Sequence, residues 1–392
     1  MPSRAWLVVM FGALAALGPL SIDMYLPAFP QIASELGVEA GRVQLTLSFY
    51  MLGLAVGQLM YGALADRLGR RGPLLTGGLL FCVASLGCAL AWSVEALIVC
   101  RVVAALGGSA GMVITRAFVR DRFDAAESAR FYSLNMLVMG LAPILAPLVG
   151  GQLLLLASWR GIFGLIVVAS ACCWVALYKT LPETLPEEKR VRHGFREIAR
   201  TYAGLFRQRV FLGYSLSGGC MSGVMFAYVS GSPALFIEEH GISPQHFGFF
   251  FGANAAGLIL VSQFNMGLLK RFTARQILVG AYTGNLVAAV VLAAVVLSGW
   301  GGFWAALPLL WLCIASGGLI YPNTTALAMA PVGTVAGSAS ALMGTLQFSL
   351  GGLSASLVGA LHDGTGRPLV IVMACVSTIG WTVLRTLAVE KP

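Results

Sequence analysis

The chain has 392 residues, of which 58% are apolar and only 10% are Asp, Glu, Lys or Arg. Soluble domains carry about 25% charged residues, so a single water-soluble fold is excluded, and a mean hydropathy of +0.84 agrees. The formal charge of +9 comes from basic residues in short segments between apolar runs, which favours membrane orientation over nucleic-acid binding.

A hydrocarbon core about 30 Å thick requires roughly 20 apolar residues per helix. Runs of that kind fall near 5–28, 43–63, 73–92, 96–115, 131–154 and 158–178. A second set falls near 210–232, 245–268, 275–298, 302–322, 337–360 and 368–388. The first run follows Arg4 and reads as an uncleaved helix rather than a signal peptide, because eleven more follow it. The longest polar stretch, 179–209, contains Lys189, Arg190, Arg192, Arg196 and Arg200. The expected fold is an all-α polytopic membrane protein with 12 transmembrane helices. It divides into an N-terminal six-helix bundle over 1–180, a linker over 181–208 and a C-terminal six-helix bundle over 209–392.

Cytoplasmic loops carry an excess of Lys and Arg. With both termini and the linker in the cytoplasm, outer loops hold only Arg42, Arg160 and Arg367, and a span holds Arg101. The other 21 of the 25 basic residues are then inside. Short basic connections also recur about 200 residues apart, at 61–71 and 264–271. Parallel six-helix repeats with a site between them are a secondary-transporter plan.

Little in the chain suggests enzyme chemistry. The eight cysteines lie in or beside apolar runs, without a CxxC pair or a neighbouring histidine, and read as packing residues. The four histidines lie in or beside loops. No phosphate-binding G-x-x-x-x-G-K-[ST] loop occurs, and the spans hold no paired carboxylates, nucleophile–base set or metal set. The chain is expected to be no enzyme and to bind no metal.

Two ionisable residues remain inside the spans, Asp23 in the first and Arg101 in the fourth. Such groups are costly in a membrane and mark ion pathways or proton relays. At about 1.5 Å rise per residue, both sit roughly 8–9 Å below the outer surface. They are expected to be level and able to interact, as the proton-coupling and substrate residues. Tyr25, Tyr50, Asn254 and Gln347 are candidates to line a cavity beside them.

The segment Gly62-Ala63-Leu64-Ala65-Asp66-Arg67-Leu68-Gly69-Arg70-Arg71 places an acid and a tight turn in a basic inner loop. It resembles the G-x-L-a-D-r-x-G-r-[RK] motif of the major facilitator superfamily, whose fold is two six-helix bundles. The resemblance implies an inner latch: Asp66 against the N-terminus of the eleventh helix, and Arg70 against Asp121. The connection at 323–336 has no charged residue to oppose that docking. In span five, Gly140, Pro143, Pro147, Gly150 and Gly151 resemble the superfamily's antiporter motif, which implies export. Ala146 replaces one of its glycines.

The run Pro19-Leu20-Ser21-Ile22-Asp23-Met24-Tyr25-Leu26-Pro27-Ala28-Phe29-Pro30 is similar to the first-helix signature of Bcr/CflA-type drug-resistance transporters. Further resemblance lies in Gln44-Leu45-Thr46-Leu47-Ser48, Trp159-Arg160, Leu181-Pro182-Glu183-Thr184 and Gly337-Ser338-Ala339-Ser340-Ala341-Leu342. The resemblance implies a multidrug efflux antiporter of the bacterial inner membrane. It would move drug out and protons in, taking compounds such as bicyclomycin, amphenicols or sulfonamides. The partners expected are the drug, protons and the lipid bilayer, with a monomeric chain, no nucleic acid and no cofactor beyond the proton gradient. The alternative is an exporter of a natural metabolite, an amino acid or short peptide, in the same fold.

Overall fold

The computed structural model describes residues 4–122, 125–190, 195–332 and 336–388, and among them it is helical without strands. Among the described residues, eleven helical stretches are long and apolar enough to cross a membrane, and Gly140–Leu153 adds a shorter one.

The first span is broken. Helix α1 (Arg4–Asp23) stops at Asp23, a 3-10 turn follows at Leu26–Ala28, and α2 (Phe29–Leu36) carries on beyond the expected end of the span. Pro27 and Pro30 fall in the first turn of their elements, where a missing N–H costs nothing. The proline-rich signature thus punctuates the helix next to Asp23. Helix α3 (Ala40–Leu68) is 29 residues long and outreaches the bilayer, so the first seven residues of the gate motif are helical.

The remaining helices of the first half are α4 (Arg71–Ala89), α5 (Val94–Arg122), α6 (Ala125–Leu153) and α7 (Trp159–Thr180). Pro143 and Pro147 lie inside an uninterrupted α6. The linker carries α8 (Phe195–Arg207). Helix α9 (Arg209–Pro233) ends in a π-helical turn at Ala234–Glu239, so the seventh span, like the first, is irregular near one end. Then come α10 (Pro244–Leu268) and α11 (Ala274–Ser298), the latter opened by a Thr273–Gln276 capping box. The tenth span is two helices, α12 (Gly302–Ala315) and α13 (Gly317–Met329), meeting at Ser316. Helices α14 (Ala336–Ala360) and α15 (Arg367–Thr386) complete the chain.

Before the linker, α1 packs on α5, α6 and α7, while α5 also holds α3 and α4. After it, α9 packs on α13, α14 and α15, and α11 on α12, α13 and α15. Across the middle, α3 lies along α14 and α6 along α10. Both seams rest on glycine: a methyl group on Gly41 would meet the Gly359 carbonyl, and one on Gly248 would meet Leu148. Small residues let helices approach in lipid, where no hydrophobic force separates apolar side chains from solvent.

Large apolar side chains such as Leu79, Val83, Leu86, Val287 and Val290 face outward along the spans. Exposed Trp92, Trp300 and Trp304 gather at the end opposite the Arg67–Arg71 loop, as aromatic residues do at a membrane interface. The end carrying that loop is called the basic end below.

Candidate transport site and gates

Arg101 is fully buried on α5. Its Nη1 donates to the Ser21 hydroxyl at 2.8 Å, and its guanidinium lies 3.9 Å from the centre of the Tyr50 ring and 4.5 Å from that of Tyr25. Nε and Nη2 have no hydrogen-bond partner. Aromatic faces attract a desolvated cation, so this cage substitutes for a carboxylate. Tyr25 also bonds Thr46 at 3.1 Å, which ties the broken first span to α3.

Asp23 does not complete the cage. It is only 5% exposed and makes no ion pair with Arg101 and no hydrogen bond among the described residues. The expected equality of depth ignored direction around the helix. Two residues along an α-helix turn it through about 200°, so when Ser21 faces Arg101, Asp23 faces away. Asp23 ends α1 just before the turn at 26–28, which packs on α9 and α10 of the second half. Tyr25 and Tyr50 both pack on Arg101 inside the first half, and Tyr50 also lines a cleft there.

Tyr228 is 1% exposed and stacks on Phe251 of α10 at 5.2 Å between ring centres. Its hydroxyl lies beside Asn254 without meeting hydrogen-bond geometry. Asn254 is buried, donates through Nδ2 to the Phe250 carbonyl at 2.9 Å and leaves Oδ1 without a partner. The turn at 26–28 packs on both α9 and α10, which brings the two halves together at this point. Gln347 on α14 stands opposite Gly218 of α9. Sequence reasoning singled out Asn254 and missed Tyr228; a tyrosine in the first apolar run after the linker was the available signal. A cleft within the first half is walled by Leu17, Tyr50, Gly108 and Trp174 and includes neither Asp23 nor Arg101.

At the basic end, Arg70 Nη1 donates to Asp66 at 2.7 Å and Nε to Asp121 at 3.0 Å, with the Arg70 side chain buried. The structure therefore brings Arg70 and Asp121 together. The expected docking site of Asp66, the N-terminus of the eleventh helix, is the start of α14 at Ala336, and the partner shown for Asp66 is Arg70. Gly62 sits within α3 facing open space and makes no turn; the turn falls at Gly69, with φ of 93°. Arg67 occupies the last turn of α3, and Arg71 donates to the Tyr178 carbonyl at 3.0 Å.

Glu183 was not expected here. Its carboxylate accepts the backbone N–H groups of Arg70 at 2.8 Å and Arg71 at 3.1 Å, and a side chain at Gly69 would run into it. Partial burial works against its charge. The N–H groups of Leu185, Arg70, Arg71 and Thr184 outweigh that and hold the carboxyl below the ordinary glutamate range.

Two glycines of the antiporter motif, Gly150 and Gly151, lie at backbone contacts. A methyl group on Gly150 would meet the Met24 carbonyl, and one on Gly151 the Pro244 carbonyl at the start of α10. Gly140 faces Ile259 of α10. The motif thus seats α6 against the break beside Asp23 on one side and the second half on the other.

At the end opposite the basic loops, Gln44 Nε2 meets His362 Nδ1 at 3.1 Å, and His362 Nε2 meets Glu238 at 3.2 Å. Glu35 accepts from Trp159 at 2.7 Å and pairs with Arg160. The hydrogen bond to Glu238 raises the proton affinity of His362 above the ordinary histidine range; burial opposes this, and the charges of Glu238, Asp363 and Glu39 reinforce it.

The profile of the Major Facilitator Superfamily matches residues 11–356. The chain belongs to the Major Facilitator Superfamily. It is 38% identical to YdgK of Bacillus subtilis, described as an uncharacterized transporter of this type, over 96% of this chain and 94% of that one. A bicyclomycin resistance protein homolog of Haemophilus influenzae is 30% identical over 94% of this chain and 93% of its own. A chloramphenicol resistance protein of Pseudomonas aeruginosa is 31% identical over 96% and 89%. Within the superfamily, these relatives agree with the Bcr/CflA-type signature, and the chain is a multi-pass membrane transporter rather than an enzyme. Two signature segments meet through Tyr25 and Thr46, while Trp159 and Arg160 hold Glu35 and Glu183 holds Arg70 of the gate motif.

Proposed function

We propose that the chain exports small, moderately apolar drugs in exchange for protons, of the kind represented by bicyclomycin, amphenicols and sulfonamides. The observation that carries this reading is Asp23, a buried carboxyl without a hydrogen-bond partner among the described residues, at the break in the first span beside the turn that packs on the second half. A group that must bind protons and drug in alternation needs to be free of a permanent counter-ion. Arg101, held by Ser21 and the aromatic cage, positions the turn that presents Asp23.

In the cycle proposed, the ionised Asp23 accepts a hydrogen bond from the drug taken up at the basic end, which faces the cytoplasm. Rocking of 1–180 against 209–392 opens the opposite end, where a proton neutralises Asp23 and the drug leaves. Asp66, Arg70, Asp121 and Glu183 form the inner gate, and Gly140, Pro143, Pro147, Gly150 and Gly151 keep the halves closely packed during the exchange. The names of the Haemophilus and Pseudomonas relatives support the substrate class. The reading is tested by resistance of a pump-deficient bacterial strain. The chain should protect against at least one compound of these classes, and collapse of the proton gradient or Asp23→Asn should remove the protection.

A further inference from the structure

We propose that Tyr228 and Asn254 are the second half's share of the drug site, and that with Asp23 they select molecules presenting a hydroxyl or N–H donor. The proposal rests on the export reading above.

Buried polar groups are nearly always hydrogen-bonded, and each exception calls for an explanation. Here the Tyr228 hydroxyl and Asn254 Oδ1 are buried without a partner, and Asp23, buried and without a hydrogen bond among the described residues, ends α1 beside the turn that packs on both their helices. They come from α1, α9 and α10, on opposite sides of the linker. Folding alone gives no reason for this coincidence, whereas a ligand held between the halves does.

The donor and acceptor pattern fixes the chemistry. The Phe250 carbonyl can only accept, so Nδ2 of Asn254 must face it and Oδ1 is the buried atom left to accept. An ionised Asp23 also only accepts, and Tyr228 does either. Arg101, the nearby strong donor, is turned away to Ser21. The site is therefore rich in acceptors, and its occupant must supply the donors. Behind Tyr228, Phe251 and then Phe247, 5.7 Å from it, form an apolar wall. A neutral or weakly basic molecule with a donor-bearing chain on an apolar body fits; a carboxylate does not.

Thiamphenicol and florfenicol provide the probe, since they differ only in a terminal hydroxyl replaced by fluorine. Export from a pump-deficient strain and binding to the purified full chain should both favour thiamphenicol. Tyr228→Phe, which is close to isosteric, should weaken thiamphenicol binding by about five- to tenfold, the value of one hydrogen bond, and leave florfenicol within about twofold. Asn254→Ser should shift the preference in the same direction. The proposal is overturned if the wild type shows no preference or exports neither amphenicol, if both variants keep the wild-type preference, or if they lose both compounds equally, which is a structural lesion. Bicyclomycin export, assayed in parallel, separates the two failures: its persistence leaves the export reading standing, and failure to export all three compounds removes that reading too.

Discussion

Glu183 accepts the backbone N–H of Arg70 at 2.8 Å across 113 residues of chain. The segment that leaves the sixth span thereby holds the turn between the second and third, and the turn in turn aims Arg70 at Asp66 and Asp121. The motif reads as a loop in sequence and behaves as a joint with two sides in the structure.

Gly69→Ala tests that joint. Its backbone, at φ 93° and ψ 177°, lies in a region that only glycine occupies readily, with a cost of about 1–3 kcal/mol for other residues, and the new methyl group would strike the Glu183 carboxylate. Thermal unfolding in detergent should show the loss, whereas Gly62→Ala, facing open space, should be neutral. Glu183→Gln adds a pH signature. A carboxyl held below its unfolded value stabilises above that value and ceases to do so as pH falls through the lower, folded one. The wild type's advantage over Glu183→Gln should therefore be full at neutral pH and vanish in acid.

Gly150→Ala addresses the antiporter motif. The Met24 carbonyl occupies the space that its side chain requires, and overpacking of this kind costs about 1–3 kcal/mol. Because Met24 follows Asp23 in the chain, the displacement should fall on the coupling residue. Resistance should drop by about tenfold or more at unchanged expression, the shift that a bias of some 1.4 kcal/mol produces in a two-state equilibrium. Full resistance in this variant would detach the motif from the site.

His362 predicts the opposite pH trend at the other end. Its folded proton affinity is raised, chiefly by Glu238, so the stabilisation is complete below the unfolded value and lost as pH rises through the folded one. Glu238 and Asp363 of the second half and Glu39 of the first surround it, and Gln44 reaches it from α3. The difference in unfolding temperature between wild type and His362→Asn should be larger at pH 6 than at pH 8.5. A difference that grows with pH would reverse the assignment.

Hydropathy and charge made the spans and the basic end legible, because both signals are local. Gly69, Gly150 and Gly151 were legible through motif resemblance, although only contacts with Glu183, Met24 and Pro244 give the reasons for them. The Asp23–Arg101 expectation went astray because depth along an axis is readable from residue counts and direction around a broken helix is not. Ser21, two residues away, took the guanidinium instead. Tyr228, and the contact of Glu183 with the gate motif, were not legible because they depend on partners far away in the chain, and a single tyrosine or glutamate carries no periodic signal.

The central claim is that Asp23 carries the exchanged proton, and drug-induced proton release tests it most directly. Purified protein in weakly buffered detergent, near the pH at which the site titrates, is mixed with bicyclomycin or thiamphenicol while a pH indicator is followed. The wild type should release protons, and Asp23→Asn, folded and close to isosteric, should release none and confer no resistance. Proton release and resistance at wild-type levels in Asp23→Asn would contradict the account and move the proton to a gate carboxylate, Asp66 or Asp121.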